Sequence, residues 1–343
     1  MNTVNSRIIW IDAAKGLAIL LVLMSHLGIS IPVIGSYLTP FRMPLYFIIT
    51  GYFISNSIDL RKFIMKRTKR LLIPYFFYGI LINCIIFFSV WLKDKLTIQI
   101  LVDKFIGLLY SRYCLFPLGT DGNIYYLSTF APAWFLTALF MASILFIPFL
   151  YLRSKQIKWL ILLYFVISFL MNRLPILLPW SLDTAFIGAV FIFVGYNLQQ
   201  QHKSPPNEHK CLLWLIVALG IYILLVKYNS GINMSVRVYG RHFLGPIIFF
   251  VIGVLGSFIY FYLLKRLENT FIVRVFARLG NYTVSLLCTH AFVYYCVRKL
   301  QAIVNFDDKF YSLIAFIAAL CVGIIIKNLF IMLEQRIGFT KYL

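Results

Sequence analysis

Charge is scarce in this 343-residue chain: charged residues make up 13% of it, about half the share of an average soluble domain. Acid is scarcer still, with Asp+Glu 11 against Lys+Arg 32 and a formal net charge of +21. The rest is 62% hydrophobic, with a mean hydropathy of +0.88. So few charges cannot cover so much apolar surface in water, which excludes a cytoplasmic enzyme and a disordered chain. None of the six cysteines forms a C-x-x-C pair, and most lie in or beside apolar runs. They read as reduced packing residues, which excludes a disulfide scaffold and predicts no metal site. No G-x-S-x-G, H-E-x-x-H or Walker motif occurs. His26 is followed five positions on by Ile31, and His290 by Tyr295, so the H-x-x-x-x-D signature of soluble glycerolipid acyltransferases is missing too. No cleavable signal peptide is expected, because Asp12 and Lys15 interrupt the first apolar run and no A-x-A site follows it.

What the chain has instead is apolar runs, continuous rather than alternating, which excludes a β-barrel. They predict an all-α polytopic membrane protein with about ten transmembrane helices, over 8–28, 40–57, 71–92, 131–152, 157–174, 179–198, 212–227, 243–264, 281–303 and 311–334. No repeat or separate soluble domain is visible, so residues 1–343 read as a single domain. Lys and Arg favour one set of loops, six of them within 61–70. The positive-inside rule then predicts that both termini are cytoplasmic. The basic surplus reads as an anchor against anionic membrane lipids, with part of it free to serve a polyanionic ligand and no role for nucleic acid.

An ionisable group inside an apolar run is costly and is a functional candidate by default. In RIIWIDAAKGLAILLVLMSHLG, Asp12 and Lys15 are three apart and face each other. Lys15 and His26 are eleven apart, which places them on one helix face about 16 Å apart. Asp12 would keep Lys15 ionised, and a neutral His26 suits a general base. The plainer alternatives are an interfacial ion pair and a histidine bonding across helices. In FRMPLYFIITGYF, Pro44 disturbs the backbone beside Arg42, which predicts that Arg42 lines a cavity. In RKFIMKRTKRLLIPYF, Arg67 and Arg70, with Lys69 between them, precede an apolar run. Guanidinium forks beside a helix N-terminus suit phosphate, whereas a lipid-headgroup anchor is the alternative. Trp134, Asp183 and His290 are further candidates, each open to a plainer reading as a belt tryptophan, a helix cap or a satisfied core histidine. Tyr110, Tyr113, Tyr125 and Tyr126 in the long loop over 93–130 offer rings on which a ligand could stack, and interfacial anchors are the common alternative.

Taken in order, these segments resemble membrane acyltransferase family 3, the ten-helix O-acyltransferases of surface polysaccharides. Asp12, Lys15, Gly16 and His26 match its D-x-x-[RK]-G and [RK]-x10-H patterns. Phe41, Met43, Pro44, Leu45, Tyr46, Phe47 and Gly51 match its F-x-M-P-L-[FY]-F…G motif, and Arg67 with Arg70 its R-x-x-R pair. The segments at Trp134, at Trp180 and Asp183, at Asn233 and Tyr239, and at His290 are similar as well. Two positions depart: Arg42 stands where the family often has His, and Lys15 where Arg is common, which keeps the charge and loses the bidentate fork.

The resemblance implies transfer of an acyl group, usually acetyl, from cytoplasmic acyl-CoA to a hydroxyl of a cell-surface or lipid-linked glycan. His26, Lys15 and Asp12 would be catalytic. Arg67, Arg70 and Lys69 would hold acetyl-CoA, and Arg42, Trp134, Asp183 and His290 would contact the acceptor. The implied location is the bacterial plasma membrane. A glycan flippase or polymerase, or a non-catalytic scaffold, would share the helices without needing His26.

Overall fold

The computed structural model describes residues 8–28, 34–55, 58–92, 97–112, 114–116, 131–201, 208–240 and 243–337. In chain order its helices are α1 (Ile9–His26), α2 (Ile34–Leu38), α3 (Arg42–Tyr52), α4 (Leu60–Arg67), α5 (Ile73–Trp91), α6 (Ile98–Tyr110) and α7 (Trp134–Leu145). After these come α8 (Ser154–Met171), α9 (Leu182–Gln201), α10 (Glu208–Tyr228), α11 (Gly245–Arg266), α12 (Phe271–Gly280), α13 (Thr283–Val304) and α14 (Asp308–Ile337). Among the described residues there is no strand, and Asn233 and Val238 form an isolated antiparallel bridge.

Each of the ten apolar runs falls on a helix. Among the described residues, six helices, or continuous helical stretches, are long and apolar enough to cross a membrane, and a seventh is reached if α12 and α13, bent by 77°, act as one span. The helix α3, at 11 residues, is shorter than the ~20 residues a straight span requires. The protein is therefore an all-helical, multi-pass membrane protein. Much of its apolar surface needs lipid: only 17% of the spanning window of α14 and 11% of that of α8 are buried in the protein.

Hydropathy alone misses α6 and α12. Gln99, Asp103 and Lys104 interrupt α6, and Arg274 and Arg278 interrupt α12. Each is amphipathic, so its apolar residues recur at helical spacing without forming a continuous run. Residues 98–110 are thus helix within what reads as one long loop.

Packing gathers the chain into two compact units, each built from three stretches. The first comprises Met1–Tyr46, Pro205–Tyr228 and Val251–Asn328, and the second Phe47–Ser204, Asn229–Phe250 and Leu329–Leu343. In the first unit α1 lies against α12 with almost no space between backbones. A Cβ on Gly16 would sit 1.9 Å from the Phe276 carbonyl oxygen, and one on Gly280 would sit 2.1 Å from that of Asp12. Small residues do here what they do in membrane bundles, letting backbones meet where no hydrophobic force between helices exists. The second unit repeats the device between α3 and α9. A Cβ on Gly51 would lie 1.9 Å from the Ile192 oxygen, and one on Gly195 would lie 1.8 Å from that of Ile48.

Helix α4 does not end before α5. The two join through a π-helical turn over Thr68–Leu72, closed by a bond from the Ile73 N–H to the Thr68 carbonyl. Pro74 supplies the reason. It has no N–H for the carbonyl four residues back, and its ring crowds that position. Widening the preceding turn accommodates both without breaking the helix.

Candidate active site

Helix α1 is unbroken from Ile9 to His26, so the sequence spacing converts directly into geometry. Lys15 Nζ donates to Asp12 Oδ1 at 2.9 Å, and both side chains are mostly but not fully buried. Lys15 and His26 lie within about 20° of each other around the helix and ~16 Å apart along it. Lys15 is fixed from a second direction, because Tyr46 Oη on α3 donates to its carbonyl at 2.9 Å.

Pro44 stands in the first turn of α3, where its missing N–H costs nothing. It therefore starts the helix rather than breaking it. Arg42, the first residue of α3, is buried. Its guanidinium donates to the Leu21 carbonyl of α1 and its Nε to that of Thr39 at 3.5 Å. Arg42 thus binds the electronegative end of α1 just over one turn before His26, where a cation is favoured.

His26 is exposed, at the C-terminal end of α1. His290, in the middle of α13, is fully buried and lies against it, the two ring centroids being 5.0 Å apart and the planes at 74°. Tyr294 adds a second ring contact to His290 at 5.4 Å, and its hydroxyl donates to the Leu23 carbonyl at 3.1 Å. The first unit therefore unites Asp12, Lys15, His26, Arg42 and His290 on three helices.

The second unit holds the other candidates. Arg67 stacks over the Phe63 ring at 5.1 Å and donates to the Thr50 carbonyl at 3.4 Å. Arg70 is exposed, and Lys69 is half-buried on the π turn between them. The expected helix N-terminus beside this pair is absent. Because α4, the π turn and α5 are continuous, the N–H groups there are consumed within the helix. Any anion held at this point is bound by side chains. Arg61 faces elsewhere, into a shallow cavity of about 520 Å³ that it lines with Ile64, Met65 and Thr68.

Trp134 is buried at the start of α7. Asp183 is fully enclosed at the start of α9 and accepts from two guanidinium groups. Arg112 Nη2 binds its Oδ1, and Arg237 Nη1 binds its Oδ2 at 3.2 Å. The backbone N–H groups of Leu178 and Thr184 add bonds of 3.1 and 2.9 Å. Both arginines also donate to loop carbonyls, Arg112 to Leu178 and Ser235 and Arg237 to Ile176 and Leu174. Burial lowers the pKa of both guanidinium groups from the ordinary arginine value, and the carboxylate opposes that shift. The same burial, with the carboxylate adding to it, raises that of Tyr239. Asp183 thus ties three loops together, a tertiary role that its place at the start of a helix did not announce. Arg112 and Arg237 read in the sequence as ordinary loop charges. The one available signal was that each stands beside a segment poor in other charge.

Of the loop tyrosines, Tyr110 donates to the Leu177 carbonyl at 2.8 Å. Tyr113, Tyr125 and Tyr126 lie outside the described residues. So do residues 1–7 and 338–343, which bear on the predicted orientation of the termini.

No curated protein and no solved structure matches the chain. A family model described as an acyltransferase domain matches residues 8–330, a range that includes every candidate named above. The site on α1 therefore stands in a protein that belongs to acyltransferase family 3.

Proposed function

We propose that this membrane acyltransferase is an O-acyltransferase, moving an acyl group, acetyl in the simplest case, from cytoplasmic acyl-CoA to a hydroxyl of a cell-surface or lipid-linked glycan. The observation that carries the reading is α1. One continuous helix bears a bonded Asp12–Lys15 pair and, three turns away on the same face, an exposed His26.

The chemistry asks for those groups. His26 accepts the proton of the acceptor hydroxyl as its oxygen attacks the thioester carbonyl. The carbon–oxygen bond forms, the tetrahedral oxyanion collapses, the carbon–sulfur bond breaks, and the thiolate leaves and recovers the proton from the imidazolium. Lys15, kept charged and oriented by Asp12, offsets negative charge on the donor or on the oxyanion. Arg67 and Arg70, with Lys69, bind the phosphates of the donor through charge-assisted hydrogen bonds. The reading includes ten spans and cytoplasmic termini in a bacterial plasma membrane, supported by the ten apolar runs and by the basic residues of 61–70.

The test is mass spectrometry of surface glycans from cells with and without the protein, paired with transfer from radiolabelled acetyl-CoA by protein purified in nanodiscs. A mass difference of one acyl group and incorporation of label are expected. Identical glycans in both cell lines, together with no incorporation, would end the proposal.

A further inference from the structure

His290 is set up to do more than fill space. Its Nδ1 lies 2.9 Å from the Leu286 carbonyl oxygen, one turn back on α13. A carbonyl oxygen only accepts, so in the neutral ring Nδ1 carries the proton and Nε2 carries the lone pair. That Nε2 is buried and has no hydrogen-bond partner among the described residues. An unmet acceptor of this kind is costly, and native proteins keep few of them. The ring beside it is His26, exposed and centred 5.0 Å away. A linear nitrogen-to-nitrogen hydrogen bond of about 3 Å between two imidazoles puts their centroids roughly 5 Å apart. No such bond is made in the arrangement seen, where the rings meet edge to face. The separation nevertheless already suits it.

We propose that His290 is the positioning residue of His26. This extends the acyl-transfer reading, on which it rests. The Nε2 of His290 accepts a hydrogen bond from one ring nitrogen of His26, which fixes the His26 tautomer and leaves the other nitrogen deprotonated and turned outward. When that nitrogen takes the proton of the acceptor hydroxyl, the imidazolium charge is shared into the His290 lone pair. The chain of groups runs from the Leu286 carbonyl through His290 to His26, and no proton need leave it. The logic is that of the carboxylate behind a catalytic histidine, with a neutral imidazole in its place. Tyr294, packed on His290 and bonded to the Leu23 carbonyl, holds α13 in register with the end of α1.

Three variants test this in nanodisc-reconstituted protein. His290→Leu removes the acceptor while filling the cavity, and His290→Gln returns an acceptor oxygen near the place of Nε2. His26→Ala serves as the background. Two readouts are taken, steady-state transfer and the rate at which diethylpyrocarbonate modifies His26, located by peptide mass spectrometry. His290→Leu is expected to lower kcat by 10²-fold or more, as loss of an orienting group does. The KM for acyl-CoA should stay within twofold, and carbethoxylation of His26 should slow several-fold. His290→Gln should recover at least tenfold of the lost kcat and most of the lost reactivity. Unchanged kcat and unchanged His26 reactivity in His290→Leu would overturn the proposal. So would a His290→Gln protein as impaired as His290→Leu with the same thermal stability, since that is the behaviour of a packing residue. If wild-type protein transfers no acyl group but His26 reactivity still depends on position 290, the acyl-transfer reading fails and the pairing of the two histidines stands.

Discussion

Replacing Asp183 by Asn tests the architectural reading of the second unit most directly. The carboxylate is fully buried, and the two guanidinium groups on it are exposed by no more than 2%. Removing its charge leaves both cations in a site where water cannot replace it. Uncoupling one partner of a buried ion pair costs about 3–5 kcal/mol, chiefly through the uncompensated charge left behind. Asn keeps one carbonyl oxygen, so part of the bonding from the Leu178 and Thr184 N–H groups survives, and the lower half of that range is the better expectation. For a chain of 343 residues it corresponds to a fall in apparent Tm of roughly 4–6 °C. The assay is thermal unfolding in detergent or nanodiscs, followed by tryptophan fluorescence and by soluble fraction after heating. Arg237→Met, which leaves one cation on one carboxylate, should cost less than Asp183→Asn. An Asp183→Asn protein with the wild-type Tm and a raised KM for the acceptor would refute the argument and move Asp183 to the substrate.

Other expectations follow from the same geometry. His26→Ala should reduce transfer by at least ~10²-fold, while acyl-CoA still raises the Tm of the variant; normal transfer by a protein that binds donor would remove His26 from the chemistry. Arg67→Ala should raise the KM for acyl-CoA by roughly tenfold or more with little change in kcat, the signature of lost ground-state binding; an unchanged KM would assign Arg67 to lipid headgroups. Gly16→Ala should destabilise the protein, because its new Cβ would stand 1.9 Å from a backbone oxygen that cannot move aside, at about 1–3 kcal/mol or more. Gly220→Ala, in α10 with no neighbour within 4 Å of the new Cβ, should be neutral or raise stability by a few tenths of a kcal/mol up to ~1 kcal/mol; equal effects at the two positions would show that the contact between α1 and α12 is looser than described.

Much of the protein was legible in its sequence because lipid imposes a local rule. A segment that enters hydrocarbon must be apolar and must satisfy its own backbone, so length and hydropathy locate the helices without reference to anything distant. The Asp12–Lys15 bond and the shared face of Lys15 and His26 followed for the same reason, since within one helix sequence spacing is geometry. Pro74 and the six basic residues before it were equally visible, but their meaning changed. The proline widens one turn of a helix that runs on unbroken, so the helix start expected beside Arg67 and Arg70, with its free N–H groups, is absent.

What only the tertiary structure decided lies between segments far apart in the chain. Nothing in residues 20–30 announces that the ring facing His26 belongs to His290, nor does any feature of Arg112 or Arg237 point to Asp183. Such pairings depend on which helix faces which, and that is settled by the shapes of small residues such as Gly16 and Gly280, whose contact surface carries no polar or periodic signal. The composition, poor in charge, determined that this chain lives in a membrane and which few ionisable groups merit a role. The packing of α1, α3 and α13 determined which of those groups meet, because in lipid the directional contacts between helices, and not the hydrophobic effect, choose the partners.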